Sequence, residues 1–371
     1  MQELDLNFAA IKEQSVQGRY VTNDHIKPYM ETIRNVFKVE TIGYSELKKP
    51  IELITIGTGK KKILMWSQMH GNESTTTKAL LDFMNWLQQS STEANTILEK
   101  TTLYIIPILN PDGAKFYTRL NANKVDLNRD AQELTQPESN VLRDIYKKVQ
   151  PDFCYNLHGQ RTIFNVGDTN KPATISFLAP SYDMERNVSD SRYKSMQVIA
   201  AMNATLQKEI PGQIGRYDDG FNPNCVGDYF QMQKVPTILF EAGHNYNDYE
   251  RETTRQHIFT ALVSGTLSIA STTYTLYSKE NYLSIPDNNK LFFDILVHNA
   301  DVLDASLEKG VSVGILYKEV LGDKGIKFVP YVADKGELDI FFGHKEFDVK
   351  IQEDLEQFQE ENIDFKSLLS C

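Results

Sequence analysis

The sequence predicts an α/β fold that is followed by a small β-rich appendage. Between about residues 60 and 245, brief apolar runs alternate with stretches in which apolar residues recur every three to four positions. This alternation is typical of a partly parallel sheet whose strands are joined by crossover helices. From about residue 291 to 349 it gives way to short β-prone runs separated by Gly and Asp turns. We therefore expect a main domain over residues 1–274 and a β-rich appendage over residues 275–371.

Composition and charge exclude several classes of protein. The chain has 371 residues, of which 41% are hydrophobic and 24% charged, values close to those of soluble globular proteins. The net charge of −11 argues against nucleic acid as a partner, because nucleic-acid binders present concentrated basic surfaces. No apolar stretch approaches the roughly 18 residues that a membrane span needs, and the acidic N-terminus does not resemble a signal peptide.

Three cysteines, Cys154, Cys225 and Cys371, are odd in number and far apart in the sequence. This pattern favours reduced thiols over a disulfide framework. We therefore expect a cytoplasmic protein that interacts with neither membrane nor nucleic acid. The sequence does not predict an oligomeric state.

The first two predicted strands each run into a polar segment. The apolar run 63–66 leads into His-Gly-Asn-Glu at 70–73, and a helical pattern follows over 77–87. The second run, 103–108, is closed by Asn-Pro-Asp-Gly at 110–113, where Pro and Gly favour a turn. The first run is therefore expected to be a strand that is followed by a polar loop and then by a helix.

Two further strands end directly at residues capable of chemistry. The run 153–157 continues into His158, and the run 237–240 continues into Glu241 before a helical stretch at 255–269. In open α/β sheets, ligands bind beyond the carboxyl ends of the strands. These strand ends are therefore candidates for one shared site.

His70, Glu73 and His158 form a candidate metal site. Catalytic zinc typically has three protein ligands of the His and carboxylate type and keeps one position open for water. The two-residue spacing between His70 and Glu73 lets both side chains approach one cation, and His158 would complete the set from a neighbouring strand. Any one of these residues alone indicates little. The three together, each in a strand-end context, predict one zinc ion.

Glu241 has two interpretations. It ends an apolar run, where a charged side chain is costly to bury unless it faces a polar cavity or a partner. It could simply mark the point at which the strand turns to solvent. Alternatively, it is a general base that takes a proton from an attacking water and passes it to a leaving amine.

Arg119 and Arg129 lack obvious helical ion-pair partners in the stretch 110–130. A guanidinium can bind a carboxylate through two hydrogen bonds or stabilise a developing oxyanion. Arg129, next to Asn128, suits the first task, and Arg119 suits the second. Both could also be ordinary surface residues.

Five motifs occur in the order and context that they have in the zinc metallocarboxypeptidases, and the chain resembles that family over about residues 60–245. They are His-Gly-Asn-Glu (70–73), Ile-Pro-Ile-Leu-Asn-Pro-Asp-Gly (106–113), Asp-Leu-Asn-Arg (126–129), Leu-His-Gly (157–159) and Phe-Glu (240–241). The resemblance implies a mixed eight-stranded sheet flanked by helices, with the metal at its carboxyl edge. It also implies a peptide or small amide substrate that carries a free carboxylate.

The resemblance assigns roles to individual residues. It makes His70, Glu73 and His158 the zinc ligands and Glu241 the general base. It also implies that Asn128 and Arg129 bind the free carboxylate of the substrate. Arg119, ten residues before Arg129, matches the oxyanion-stabilising arginine of the shorter-looped branch of the family.

The family's mobile active-site tyrosine matches Tyr217 by position, although Tyr229 also precedes Glu241. The chain lacks room for the signal peptide and folded prosegment of the secreted digestive members. The segment 226–228, near the expected floor of the specificity pocket, does not align without a gap, so the preferred side chain stays open. The appendage contains no cluster that suggests chemistry, and we expect it to cover the main domain or to bind a partner.

Two other functions remain open. An amidohydrolase similar to succinylglutamate desuccinylases and aspartoacylases would share the His-Gly-Asn-Glu loop, the Asp-Leu-Asn-Arg motif and the zinc site, but would act on N-acyl amino acids. The longer turn at 109–113 and the spacing of Arg119 favour the peptidase. A non-catalytic binding protein with the same fold is the other alternative, although every expected ligand and the base are present in the sequence.

Overall fold

The computed structural model describes residues 7–369. Its strands are β1 (Lys38–Tyr44), β2 (Pro50–Ile56), β3 (Lys61–Ser67), β4 (Thr101–Ile106), β5 (Phe153–Gly159), β6 (Asn165–Val166), β7 (Ile175–Leu178), β8 (Ile214–Arg216), β9 (Thr237–Ala242), β10 (Asn288–Asn289), β11 (Phe292–His298), β12 (Ser312–Gly322), β13 (Gly325–Gly336) and β14 (Phe342–Asp348).

Its helices are α1 (Phe8–Ile11), α2 (Asn23–Ile33), α3 (Thr75–Leu87), α4 (Thr92–Lys100), α5 (Pro111–Phe116), α6 (Pro137–Val149), α7 (Asp190–Leu206), α8 (Val226–Met232), α9 (Glu252–Ser271), α10 (Lys279–Leu283), α11 (Gln352–Glu360) and α12 (Phe365–Leu369). Three short 3₁₀ turns lie at Leu127–Arg129, Thr273–Leu276 and Ala300–Val302.

The main sheet has eight strands in the order β1-β2-β4-β3-β5-β9-β7-β8. Its centre, β4-β3-β5-β9, is parallel. β1 and β2 pair antiparallel with their neighbours, whereas β7 is antiparallel to β9 and parallel to β8. The predicted mixed eight-stranded sheet is therefore confirmed. Because β3, β5 and β9 are parallel neighbours, their carboxyl ends meet at one edge of the sheet.

Helices cover both faces of this sheet because its central strands are apolar on both sides. Along β3, Ile63 and Met65 pack on the face covered by α3 and α9, whereas Leu64 and Trp66 pack on the opposite face with residues of α6 and α8. All four side chains are fully buried. Because β3 is buried on both faces, its position in the centre of the sheet is fixed, and so is the start of the loop that carries His70 at its carboxyl end.

The predicted turn at 110–113 is instead the first turn of a helix. Asn110 caps α5, and its Oδ1 accepts a hydrogen bond from the backbone N of Gly113 at 2.8 Å. Pro111 occupies the first helical position, where a missing N–H costs nothing. The residues that favour a turn therefore also favour a helix start, and local sequence alone does not separate the two.

The β-rich C-terminal region forms a second sheet of four strands, in the order β13-β12-β11-β14. Strands β12 and β13 form a long antiparallel hairpin, and β11 pairs in parallel with β14. One face of the sheet packs on α11 and α12 through an apolar cluster that includes Phe347 and Phe358. The predicted β-rich appendage is present. Its boundary at residues 274 and 275 stays a prediction.

Cys154 and Cys225 are free thiols, buried and half-buried respectively. Cys371 lies outside the described residues. The cytoplasmic location that we expect from the sequence stays a prediction. Across residues 7–369, no helix has the length and apolar character required to traverse a lipid bilayer.

Candidate functional site

The structure brings His70, Glu73 and His158 together at the carboxyl edge of the main sheet. His70 follows β3, and His158 lies in the adjacent strand β5. One ligand atom from each residue lies within 4.8 Å of the others. His70 Nδ1 is 2.8 Å from Glu73 Oε1, His158 Nδ1 is 2.9 Å from Glu73 Oε2, and the two Nδ1 atoms are 3.1 Å apart.

This donor set fits zinc. Two imidazole nitrogens and one carboxylate converge on a single point, as in catalytic zinc sites that keep a fourth position open. Although burial opposes ionisation of Glu73, the neighbouring histidines hold the pKa of this carboxyl far below its usual value. Burial lowers the pKa of His158 and so favours the neutral imidazole that binds metal.

Backbone packing explains why the ligand loop contains glycine. A Cβ added to Gly71 would lie 1.9 Å from the carbonyl carbon of Gly113, so only glycine permits this contact between the loop and α5. Asn110 Nδ2 also donates to the carbonyl oxygen of Met69 at 3.1 Å. Through these contacts with Met69 and Gly71, the segment 110–113 fixes the backbone of the loop that carries His70 and Glu73.

Asp126 has a role that the sequence did not predict. Its Oδ1 lies 3.0 Å from His70 Nε2, the nitrogen that points away from the proposed metal position. Metal-bound histidines usually donate this second N–H to a carboxylate or carbonyl. Burial opposes ionisation of Asp126, but the hydrogen bond and charge of His70 hold its pKa well below the usual range. Asp126 begins the Asp-Leu-Asn-Arg motif, so the sequence did mark it as part of a candidate site. Its partner could not be predicted, because His70 lies 56 residues earlier in the chain.

Glu241 lies at the end of β9, directly opposite His158 in the strand register. Its side chain is buried and lines the same cavity as the three candidate ligands. Oε2 accepts no hydrogen bond from any described residue. Burial, together with the charge of Glu73, raises the pKa of Glu241 well above its usual value. The strand end therefore faces the cavity and does not turn to bulk solvent.

Arg119 lies beside the ligand cluster. Its Nε and Nη2 both lie 3.0 Å from Asp126 Oδ2, and its Nη1 is 3.1 Å from His70 Nδ1. The side chain is partly exposed and lines the cavity. A guanidinium in this position can reach a substrate oxygen close to the ligands.

Asn128 and Arg129 line the same cavity near α8. Asn128 Oδ1 accepts a hydrogen bond from the backbone N of Val226 at 2.9 Å, which fixes its orientation. Arg129 Nη1 donates to the carbonyl oxygen of Asn128 at 2.7 Å and lies 3.1 Å from Cys225 Sγ. Its Nε and Nη2 form no hydrogen bond with another described residue, so the guanidinium can still receive an anion.

The structure separates the two candidate tyrosines. Tyr217 lines the cavity, and its ring packs on Phe164 with a centroid distance of 5.5 Å. Burial, followed by the charges of Glu241 and Glu73, raises its pKa. Tyr229 instead lies in α8, where its hydroxyl accepts a hydrogen bond from Arg143 at 2.9 Å and its ring stacks under the same guanidinium. Of these two tyrosines, only Tyr217 lines the cavity.

The cavity has a volume of about 710 Å³ and a wall that the sequence did not predict. Side chains of the C-terminal sheet line it, among them Tyr317, Lys318, Phe328 and Tyr331. No local motif marks these residues as part of a site, because their position depends on how the second sheet packs on the first. The appendage thus covers the main domain, and it does so at the candidate site.

Comparison with known proteins gives consistent family matches. The zinc carboxypeptidase family matches residues 23–222, more than half of the chain. Carboxypeptidase SOL1 of Arabidopsis thaliana is 28% identical over 209 residues, which cover 47% of this chain and 43% of that protein. Carboxypeptidase 2 of Trichophyton rubrum is 28% identical over 100 residues, which cover 26% of this chain and 19% of that protein. The matched segments therefore span less than half the length of these relatives.

A solved structure shares the fold. The metallo-carboxypeptidase from Burkholderia cenocepacia superposes with a TM-score of 0.56 at 18% identity, covering 68% of this chain and 70% of that one. At this identity the similarity concerns the fold alone. Together with the family match over residues 23–222, it shows that this chain belongs to the zinc carboxypeptidase family.

Proposed function

We propose that this chain is a zinc-dependent metallocarboxypeptidase that hydrolyses a C-terminal peptide or peptide-like amide bond with an activated water molecule. One observation carries the proposal. A single cavity is lined by the ligand cluster of His70, Glu73 and His158, by the buried carboxyl of Glu241 and by the partly unpaired guanidinium of Arg129. Ligands, base and carboxylate anchor therefore face one substrate.

The three ligands would hold one zinc ion. When bound, zinc supplies Lewis acidity, which polarises a carbonyl oxygen and makes a water molecule more acidic. Asp126 would orient His70 for this task through its hydrogen bond to Nε2. The other residues of the cavity would bind the substrate or transfer the proton that the attacking water releases.

Glu241 would accept a proton from the attacking water and pass it to the leaving amine. Burial and the charge of Glu73 raise the pKa of Glu241 above its usual value, so this carboxylate accepts a proton more readily than an exposed one. The carboxyl group has no hydrogen bond at Oε2 that would have to break first. Its side chain is buried at the end of β9, opposite His158, where it faces the cavity that holds the candidate ligands.

Asn128 and Arg129 would bind the free carboxylate at the end of the substrate, and Arg119 would donate to the carbonyl oxygen as it gains charge. Charge-assisted hydrogen bonds to a carboxylate are strong and directional. A donor aimed at the developing oxyanion lowers the barrier, because it acts more strongly on the transition state than on the ground state. Tyr217 is the candidate to close over the bound substrate.

The amidohydrolase alternative is not favoured, since the family match and the named relatives are carboxypeptidases. The expected substrate is a peptide or small amide with a free carboxylate.

The test is a zinc-loaded preparation assayed on a peptide library, with N-acyl amino acids as a comparison set. We expect release of single C-terminal residues, loss of activity with a chelator and recovery when zinc is added back. His158→Ala should lose stoichiometric zinc, measured by elemental analysis. Cleavage of N-acyl amino acids without cleavage of peptides would point to the deacylase. Unchanged zinc in His158→Ala would contradict the ligand set.

A further inference from the structure

The C-terminal sheet forms part of the candidate substrate cavity. The hairpin β12–β13 contributes Tyr317, Lys318, Glu319, Phe328 and Tyr331 to the lining. We call the surface formed by Tyr317, Lys318, Phe328 and Tyr331 the hairpin wall. Tyr317 and Phe328 lie on one face of the hairpin, and Lys318 and Tyr331 lie on the other, where the amino group is next to the Tyr331 ring. The wall therefore offers aromatic rings from both faces of the hairpin and one amino group, which suits an extended chain that carries an anion.

Two acidic residues hold the hairpin wall against the main domain. Glu319 forms an ion pair with Arg19 at 2.9 Å and accepts a hydrogen bond from the hydroxyl of Tyr117. Asp294 accepts hydrogen bonds from the hydroxyl of Tyr249 at 3.0 Å and from the backbone N of Tyr317 at 2.8 Å. Both carboxylates are therefore already satisfied by protein groups.

Aromatic packing reinforces this attachment. The ring of Tyr249, which follows β9, lies 5.4 Å from that of Tyr317 and 5.3 Å from that of Phe328. Such pairs contribute beyond the area they bury. Tyr317 and Phe328 thus attach the hairpin wall to the main domain at the cavity.

The hairpin wall lies apart from the carboxylate anchor. Arg129 contacts Cys225, and Asn128 contacts Val226, whereas the wall's contacts run to residues such as Tyr249. No hydrogen bond, ion pair or ring contact among the described residues joins the wall to Arg129.

The anchor lies near the face of the main sheet that α6 and α8 cover, because Leu127 and Val226 pack in that cluster. The wall is held by Arg19 and Tyr249, which lie beside the starts of α3 and α9 on the opposite face. A peptide with its terminal carboxylate at the anchor would therefore extend its upstream residues past the reaction centre toward the hairpin wall.

The cations on this side of the cavity lack acidic partners. Lys318, Lys290 and Arg161 are exposed lining residues, and none forms an ion pair within residues 7–369. Lys318 Nζ lies 6.0 Å from the ring centroid of Tyr331, and Lys290 Nζ lies 5.9 Å from that of Phe164. Their positive charge is therefore available to a ligand.

The acidic residues of the cavity are distributed differently. Asp228, which forms no ion pair with a described residue, lies in α8 and acts electrostatically on Arg129 on the anchor side. Asp218 follows Tyr217, whose ring packs on Phe164. Glu319 and Asp294 on the hairpin side are engaged by the protein. In a chain of net charge −11, this leaves a locally positive surface upstream of the reaction centre.

We propose that the hairpin wall binds the substrate upstream of the scissile bond and selects peptides with an acidic side chain there, and that Lys318 is the specificity-determining residue. The inference rests on the proposed carboxypeptidase function. It assigns the C-terminal sheet a part in substrate choice. Lys290 and Arg161 would add to the attraction at longer range.

The experiment compares matched peptides that share their last two residues and carry either Glu or Gln at the third and fourth positions from the C-terminus. The zinc-loaded full chain should show a kcat/KM about five- to tenfold higher for the Glu peptide at low salt. The preference should shrink as salt rises, because exposed charges are screened. Lys318→Glu should abolish or reverse this preference, measured in each variant as the ratio of kcat/KM for the Glu peptide to kcat/KM for the Gln peptide.

Lys324→Glu is the matched control. Lys324 lies in the exposed turn of the same hairpin and does not line the cavity, so the same charge change there should leave the preference intact. Equal kcat/KM for the Glu and Gln peptides in the wild type would overturn the inference and leave the proposed function standing. Equal losses in Lys318→Glu and Lys324→Glu would overturn it too. Absence of hydrolysis of any peptide would remove the proposed function and the inference with it.

Discussion

Asp126 and His70 form a hydrogen bond on the outer side of the candidate metal site. Asp126 Oδ1 lies 3.0 Å from His70 Nε2, while His70 Nδ1 faces Glu73 at 2.8 Å. An acceptor at Nε2 places the ring proton there and leaves the lone pair on Nδ1 directed at the metal position. Asp126 therefore selects the tautomer that can bind zinc.

The first prediction concerns this hydrogen bond. Asp126→Ala should weaken zinc binding about 10- to 100-fold, since loss of an outer partner typically costs that much affinity. Competition with a chromophoric chelator measures the zinc affinity independently of activity. Asp144→Ala, at an exposed position of α6, is the control and should bind zinc like the wild type. Equal affinities in the two variants would show that Asp126 does not orient His70.

The second prediction concerns the base. Glu241→Gln is nearly isosteric but cannot take a proton, so kcat should fall by at least about 100-fold while zinc content stays stoichiometric. Circular dichroism and elemental analysis check the fold and the metal. A kcat near the wild-type value in zinc-replete Glu241→Gln would exclude Glu241 as the base.

The third prediction concerns the carboxylate anchor. Arg129→Ala should lower kcat/KM for free-acid peptides by about one to two decades, which corresponds to roughly 1.5–3 kcal/mol for a charged hydrogen bond. Peptides amidated at the C-terminus should already be poor substrates of the wild type, and the variant should harm them much less. If the wild type cleaves amidated and free-acid peptides equally, Arg129 is not a carboxylate anchor.

The fourth prediction distinguishes Arg119 from Arg129. Arg119→Ala should lower kcat for free-acid and amidated peptides by the same factor, about 100-fold or more, because an oxyanion donor acts whatever group the terminus carries. Steady-state kinetics on both peptide series provides the measurement. A loss confined to free-acid peptides would instead give Arg119 a share in binding the carboxylate.

Local sequence patterns predicted the site residues that lie at the carboxyl ends of strands. His70, His158 and Glu241 each follow or end a buried parallel strand, so the strand pattern and the rule of carboxyl-end binding sufficed to bring them together. The eight-stranded sheet itself followed from the family resemblance, because short edge strands such as β8 carry little signal of their own.

Contacts between distant segments were not predictable in this way. The pairing of Asp126 with His70 and the ion pair of Glu319 with Arg19 join residues that no periodic pattern relates. The hairpin wall depends on how two sheets pack together, which is decided by shape across the whole interface. These features were therefore found only in the structure.

A buried ion pair far from the cavity offers a test of stability. Arg255 in α9 donates two hydrogen bonds to Asp82 in α3, both at 2.6 Å, and neither side chain is exposed. Burial raises the pKa of Asp82 in spite of the charge of Arg255. The pair is thus costly to desolvate, and Asp82 supplies two of the hydrogen bonds that compensate the buried guanidinium, beside Glu252 at 3.1 Å.

The fifth prediction follows from that compensation. Asp82→Ala would remove the bidentate carboxylate from the buried guanidinium of Arg255, which would keep only Glu252 and two backbone carbonyls as acceptors among the described residues, and it should reduce the free energy of unfolding by about 3 kcal/mol. The matched control is Glu52→Ala, which removes the carboxylate of the exposed pair between Glu52 and Arg34 and should cost no more than about 1 kcal/mol. Urea denaturation of the full chain, followed by far-UV circular dichroism, compares the two. Similar shifts in the two variants would mean that the Arg255 side chain finds water or another acceptor once Asp82 is gone.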